Sequence, residues 1–122
     1  MDAQLVYRRF LTLAGTPEPE GAAWLSLCEE AAQDLQRRLR PGADSNSPRL
    51  VYPAAAMAVV RMLLSLSAAE DTTSFAAGDI RATRDMAPAL LAARQQQQEA
   101  LRQIADLLED DGFFFAAVGG AV

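Results

Sequence analysis

The chain has 122 residues, 51% apolar and 22% charged, a composition typical of one folded domain that excludes disorder throughout. Its formal net charge is −5, and its basic residues, all arginine, form no concentrated cluster, which argues against nucleic-acid binding. With no histidine and one cysteine, neither an ordinary zinc site nor an intramolecular disulfide can form, and a reducing, cytoplasmic origin fits best.

The first two helices are indicated by apolar residues at helical spacing. Asp2 can cap a helix over about residues 2–14, and Gly15 can end it. A second helix is predicted over about residues 21–40, with an apolar stripe on one face. Residues 41–48 combine Pro, Gly, Asn and Ser, which predicts a loop.

A third helix, over about residues 49–69, is apolar on nearly every face, as a helix at the centre of a bundle is. Its length also suits a membrane span, but Arg61 at its middle opposes insertion by about 2.5–3.5 kcal/mol. We therefore expect no membrane association. Arg61 is expected to pair with Asp34 or Asp106, or to reach the surface along its long stem.

Between about residues 72 and 84 the sequence predicts a short extended loop or a hairpin. Gly78 and Asp79 form a turn signal there, between short segments that carry Phe75 and Ile80. A last helix is predicted over about residues 86–110, with Pro88 near its first turn. Its polar middle, residues 94–99, indicates a solvent-exposed segment or a place where glutamine amides meet a partner.

Three consecutive phenylalanines follow Gly112, which can end the last helix. In an extended segment successive side chains alternate in direction, so this tail exposes one face or docks on another chain, unless it folds back onto its own bundle. The sequence thus predicts an all-α fold, a bundle of about four helices. One helical domain would span residues 1–112, with an extended apolar C-terminal tail over residues 113–122.

No residues in the sequence form a recognisable catalytic group. Cys28 falls on an apolar helical stripe without an imidazole to activate it, and is expected to be a small core residue. Adjacent acidic pairs such as Glu29 and Glu30 point to different sides of a helix. A glycine-rich phosphate loop is also missing. We therefore predict that the protein is not an enzyme and uses no cofactor and no metal.

The order of elements resembles the small helical head–tail connector proteins of tailed bacteriophages and prophages, also called adaptor or head-completion proteins. The resemblance covers most of the chain and is carried by residues 24–32 (WLSLCEEAA), 74–80 (SFAAGDI) and 107–113 (LLEDDGF), together with the apolar central helix. It implies a ring of about twelve identical copies on the portal protein, joined to the next neck or tail protein. DNA would pass through without specific binding, and the protein would lie in the virion neck, and in the host cytoplasm during assembly.

The resemblance also implies which segments contact neighbouring rings, namely the interhelical loop and the C-terminal tail. The implied partner-binding residues are Phe75, Gly78, Asp79, Ile80, Arg81, Phe113, Phe114, Phe115 and Val118. A surface rich in carboxylates repels DNA phosphates, so an acidic face would suit the channel. The acidic residues expected to face it are Glu99, Asp106, Glu109 and Asp110.

Two other functions stay open at this stage. One is a small cytoplasmic helical regulator or adaptor that binds one protein partner through the apolar tail. The other is a small-ligand binder with a pocket inside the bundle, where Arg61 would meet an anion.

Overall fold

Four α-helices form most of the structure, a computed structural model that describes residues 1–15, 22–77 and 80–109, with side chains over 1–15, 22–68 and 87–109. The helices are α1 (Ala3–Ala14), α2 (Leu25–Arg37), α3 (Val51–Ala77) and α4 (Ile80–Gln103). Short 3-10 turns lie at Ala22–Trp24, Pro48–Leu50 and Ala105–Leu107. The predicted all-α bundle of about four helices is confirmed.

The ends of α1 lie where the sequence predicts them. The Asp2 side chain accepts a hydrogen bond from the Gln4 amide at 2.9 Å, which satisfies one of the free donors of the first turn. Gly15 has a φ of 64°, a left-handed conformation that glycine adopts without steric cost, and its amide donates to the Leu11 and Thr12 carbonyls. Between these caps, α1 buries Val6, Tyr7 and Phe10.

Helix α3 lies at the centre of the bundle and packs against α1, α2 and α4. Every side chain from Pro53 to Val60 is buried, which explains why this part of the sequence has no polar face. Ala54, Ala55 and Ala58 are completely inaccessible to solvent. Their small size lets the neighbouring helices approach the α3 backbone closely, so the core is built around alanine rather than around large side chains.

The segment Pro48–Ala68 is long and apolar enough to cross a membrane by length and composition, with a mean hydropathy of 1.7. Within the described residues it is the only helix of that kind. Packing inside the bundle buries 56% of its most apolar window, and the core helix of a soluble protein has the same properties. The length and composition of this segment are therefore only weak evidence for a membrane span.

The prediction of an extended loop or hairpin over about residues 72–84 is wrong. Helix α3 continues to Ala77 and α4 begins at Ile80. Most of the range that was predicted to be extended is therefore helical. Only Gly78 and Asp79 within that range lie outside the described residues. The range predicted from the turn signal was too wide. The alanines just before the signal, and the length of the helix that precedes them, favour continuation of α3.

The last helix also differs from its predicted range. Since α4 begins at Ile80 instead of about residue 86, Pro88 lies more than two turns inside it and not near its first turn. Proline has no amide proton, so the carbonyl of residue 84 loses its usual intrahelical donor. The helix ends at Gln103, and the 3-10 turn Ala105–Leu107 replaces the predicted continuation to residue 110.

The α3–α4 hairpin is much longer than the helices beside it. Helix α3 has 27 residues and α4 has 24, whereas α1 and α2 have 12 and 13. At 1.5 Å per residue these lengths are about 40 Å against about 20 Å. Among the described side chains, Met62 is the last buried one on α3 and Ala93 the first on α4. The hairpin therefore continues beyond the core that α1 and α2 cover.

An isolated antiparallel β-bridge joins Leu39, just after α2, to Leu108, just after α4. The Arg40 amide donates to the Leu107 carbonyl at 2.9 Å, and the Glu109 amide donates to the Arg38 carbonyl at 2.8 Å. These bonds hold the last described residues of the chain against the end of α2. The predicted tail itself, residues 113–122, lies outside the described residues.

Candidate interaction surfaces

The one charge on the middle of α3 is neutralised inside the bundle. The Arg61 guanidinium donates to the Asp34 carboxylate on α2 at 2.7 Å, as one of the sequence-based alternatives proposed. Asp34 is 18% exposed and also pairs with Arg38 at 3.1 Å. Since Arg61 already has a carboxylate partner, the arrangement does not favour a ligand pocket that uses it to bind an anion.

Cys28 has the properties of a core residue and not of a nucleophile. Its side chain is completely inaccessible, and burial, together with the nearby Glu29 charge, raises the pKa of the thiol to about 11. The reactive thiolate is therefore scarce at neutral pH. Within the part of the chain that the structure describes, no three His, Cys, Asp or Glu residues come together as a possible metal site.

The predicted partner-binding residues fall at two places. Phe75 near the end of α3, and Ile80 and Arg81 at the start of α4, are brought to the same end of the hairpin by its topology. The side chains of these three residues, the whole of Gly78 and Asp79, and the tail residues Phe113, Phe114, Phe115 and Val118 lie outside what the structure describes. Their proposed contacts therefore stay predictions.

The acidic residues predicted to face a channel do not form one unpaired surface. Glu99 is exposed but lies 3.5 Å from Arg102, one helical turn away. Asp106 accepts two hydrogen bonds from Arg49, at 2.8 and 3.0 Å. Glu109 is exposed, while Asp110 lies outside the described residues. At least two of the four carboxylates thus have arginine partners.

The Arg49–Asp106 pair ties the two ends of the α3–α4 hairpin together at the base of the bundle. Arg49 precedes α3 and also donates to the Gln103 carbonyl at 3.0 Å, at the end of α4. The hydrogen bond from Arg49 lowers the pKa of the Asp106 carboxyl below its ordinary value. Both side chains are at least half exposed, so water and salt weaken their attraction.

A first open groove runs between α1 and the beginning of α3, with a volume of about 560 Å³. We name it the arginine groove, and its lining residues are Leu5, Arg8, Arg9, Thr12, Pro48, Val51 and Tyr52. The Arg9 guanidinium carbon lies 5.1 Å from the centroid of the Tyr52 ring, a cation–π contact. Neither arginine forms an ion pair among the described residues.

A second open groove, of about 520 Å³, lies where the end of α1 meets the α3–α4 hairpin. We name it the hairpin groove, and it is lined by Leu13, Ala14, Val59, Met62, Leu63, Ala89, Ala92, Ala93 and Gln96. Leu64 and Leu91, each next in sequence to a lining residue, are 41% and 60% exposed. Both helices of the hairpin thus expose a leucine near the groove.

The sequence prediction did not select either groove, although one signal for the first was present. Leu5, Arg8, Arg9 and Thr12 recur at intervals of three and four residues, which places them on one face of α1. The opposing residues on α3 lie about forty positions later, and only the tertiary packing brings them together.

No protein-family model matches the chain, and no curated protein and no solved structure is found to be similar to it.

Proposed function

We propose that this chain is a structural subunit of a head–tail connector ring, placed between the portal and the neck or tail of a bacteriophage or phage-like particle. In this role it binds its neighbours through helix faces and its C-terminal tail and catalyses no reaction. The observation that carries the proposal is the α3–α4 hairpin, which continues past the core with apolar side chains exposed.

The exposed part of the hairpin favours a protein that works in an assembly. Leu64, Leu91 and the hairpin groove together present apolar surface on a chain of only 122 residues. Exposed apolar surface of this kind is typical of contact sites for other proteins. In a ring on the portal each copy meets both its identical neighbours and the adjacent ring, so such surface can be covered there.

The chemistry of the described residues supports an interaction role over a catalytic one. The cysteine is buried as a thiol, and the partly buried Asp34 carboxylate is held by arginines. The remaining described acidic residues are mostly exposed, and two of them, Glu99 and Asp106, lie in surface ion pairs with arginines.

The net charge of −5 supports passage of DNA without specific binding, because like charges repel the phosphate backbone. We propose a narrower acidic border for the channel than the sequence alone indicated. Glu99 and Asp106 contribute little negative charge to this border, because each carboxylate is paired with an arginine. Glu109, which is exposed, is then the main described contributor.

Electron cryo-microscopy of particles that copurify with the chain, expressed with its neighbouring genes, tests this proposal. We expect a ring of copies between portal and tail. Free particles of one or two copies without portal protein would contradict it and favour the cytoplasmic adaptor that binds one partner. A chain with Leu64→Gln and Leu91→Gln should lose its place in the ring, whereas the control Arg94→Gln, an exposed and unpaired position on α4, should keep it.

A further inference from the structure

We infer that the arginine groove binds residues 110–115, Asp-Asp-Gly-Phe-Phe-Phe, of a second copy of this chain. The inference deepens the proposed function, since it names the contact that joins one subunit to the next. The contact itself does not depend on the proposed function. Only the statement that copies joined in this way close into a ring rests on it.

The cations of the groove are available for a partner. Arg8 and Arg9 are exposed, and no described carboxylate pairs with either of them, in contrast to Arg49 and Arg61. Arg9 is held over the Tyr52 ring, which limits the number of side-chain conformations that a ligand would have to select. Two guanidinium groups of this kind suit a carboxylate such as Asp111, and the charge of the neighbouring Asp110 adds to the attraction.

The rest of the groove is apolar and matches the phenylalanines that follow those carboxylates. Leu5 is 48% exposed, and Val51 and Tyr52 are half-buried beside it. Along the axis of α1, Leu5 and Arg9 are separated by about 6 Å. In an extended segment, Asp111 and Phe113 are separated by about 7 Å. A tail that places its acids on the arginines can therefore place a phenylalanine on the apolar end of the groove.

The direction of the chain at Glu109 favours the groove of another copy over its own. The antiparallel bridge pairs residue 107 with 40 and residue 109 with 38. The chain at Glu109 therefore runs back towards the end of α2, away from the loop that leads to Pro48 at the rim of the groove. The last described residue is therefore tied to the end of α2 and is not among the residues that line its own groove.

Each copy would then offer one groove and one tail at different places on its surface. Such a head-to-tail contact is heterologous, and it generates a ring where the rotation between copies closes and a filament where it does not. No second kind of contact between copies is needed. The hairpin leucines would remain available for the adjacent ring.

Disulfide trapping between two full-length variants tests the contact. One chain carries Leu5→Cys in the groove, and the other carries Phe113→Cys in the tail. The native Cys28 can stay in both, because it is buried and its thiol has a pKa of about 11. After mixing and oxidation with oxidised glutathione, we expect a disulfide-linked heterodimer that contains one chain of each kind.

The matched control replaces Leu5→Cys by Leu91→Cys, a similarly exposed leucine on the other side of the bundle. Since the docked tail raises the local thiol concentration only at the groove, the heterodimer yield should exceed the control by about tenfold. Adding Arg8→Asp and Arg9→Asp to the groove chain should return the yield to the control level. Adding Asp110→Arg and Asp111→Arg to the tail chain should then restore it.

Equal yields with Leu5→Cys and Leu91→Cys would overturn the inference, provided that Thr12→Cys, a second exposed groove position, gives the same result. A chain with both Leu5→Cys and Phe113→Cys that forms an intrachain disulfide as a dilute monomer would also overturn it, because its own tail would then be the occupant. The two proposals fail separately. If no disulfide forms but a ring is found on the portal, only the proposed contact between tail and groove is wrong. If the heterodimer is trapped but the chain does not associate with the portal, only the proposed connector function is wrong.

Discussion

Asp34 of α2 and Arg61 of α3 form a 2.7 Å hydrogen bond beside the last buried turn of the central helix. Arg38 shares the same carboxylate at 3.1 Å and Arg37 lies 3.9 Å from it, so a single acidic group balances three nearby guanidinium groups. This arrangement makes the two partners of the hydrogen bond unequal in their contribution to stability.

Replacing Asp34→Ala should destabilise the fold more than replacing Arg61→Met. Loss of the carboxylate leaves Arg38 and Arg61 close together without their shared acceptor, which we expect to cost about 2–3 kcal/mol. Loss of Arg61 leaves Asp34 paired with Arg38 and should cost about 1 kcal/mol. Urea unfolding at pH 7 measures both, with Arg94→Met as the exposed control. The reverse order of stabilities would contradict this account.

The Arg49–Asp106 pair should make part of the stability depend on pH. The pKa of Asp106 is lowered below its ordinary value of 3.8 in the folded state. The stabilisation is therefore complete above that value and is lost as the pH falls through the lowered pKa of the folded protein. The Tm difference between the wild type and Asp106→Asn should be positive at pH 7 and should shrink only below about pH 4. A difference that does not change down to pH 2 would show that the ionised carboxylate is not its source.

Cys28 should react with a thiol reagent only when the protein opens. Its thiol is buried and has a raised pKa of about 11, so at pH 8 both access and ionisation limit the reaction. We expect the rate of labelling by an aromatic disulfide to be at least about a hundredfold below that of the urea-unfolded chain. Comparable rates in the two states would mean that the region around α2 opens readily.

The exposed leucines of the hairpin should matter for association and not for folding. Leu64→Gln and Leu91→Gln should each change the free energy of unfolding by less than about 0.5 kcal/mol, because both side chains are largely in water. In contrast, Leu101→Gln, at a buried position of α4, should cost about 2–4 kcal/mol. Thermal unfolding distinguishes them, and a large loss for Leu91→Gln would show that this leucine is part of the core.

The alanine-lined centre should not accept larger side chains. Ala58 on α3 is completely inaccessible and lies among close-packed helices. Ala58→Leu should therefore destabilise the protein by about 1–3 kcal/mol despite the added apolar surface. Ala68→Leu on the exposed side of the same helix is the control, and its stability should be close to that of the wild type. An equally stable Ala58→Leu variant would indicate free space beside α3.

The sequence was sufficient for the parts of the fold that local signals determine. Asp2 and Gly15 mark both ends of α1, and the apolar character of the third helix identifies it as the centre of the bundle. These features depend on residues a few positions apart. Periodicity and capping therefore predicted them correctly.

Features that depend on distant residues could not be derived in the same way. The Leu39–Leu108 bridge joins positions 69 residues apart, and neither segment has the alternation of a strand. The two grooves arise where helices distant in sequence meet. The turn signal at Gly78 and Asp79 falls between the end of α3 and the start of α4, but nothing in a short window limits how far a turn extends into the helices on either side.

The Leu39–Leu108 bridge also determines how a mechanical load would enter the molecule. A partner that pulls on residues beyond Glu109 would first stretch the hydrogen bond from the Glu109 amide to the Arg38 carbonyl. The force would pass along the backbone towards α4 and, through the hydrogen bonds of the bridge and the Arg49–Asp106 pair, also into the end of α2 and the start of α3. A tether attached there would be resisted by three helices together, and α4 would not be peeled away from the bundle alone.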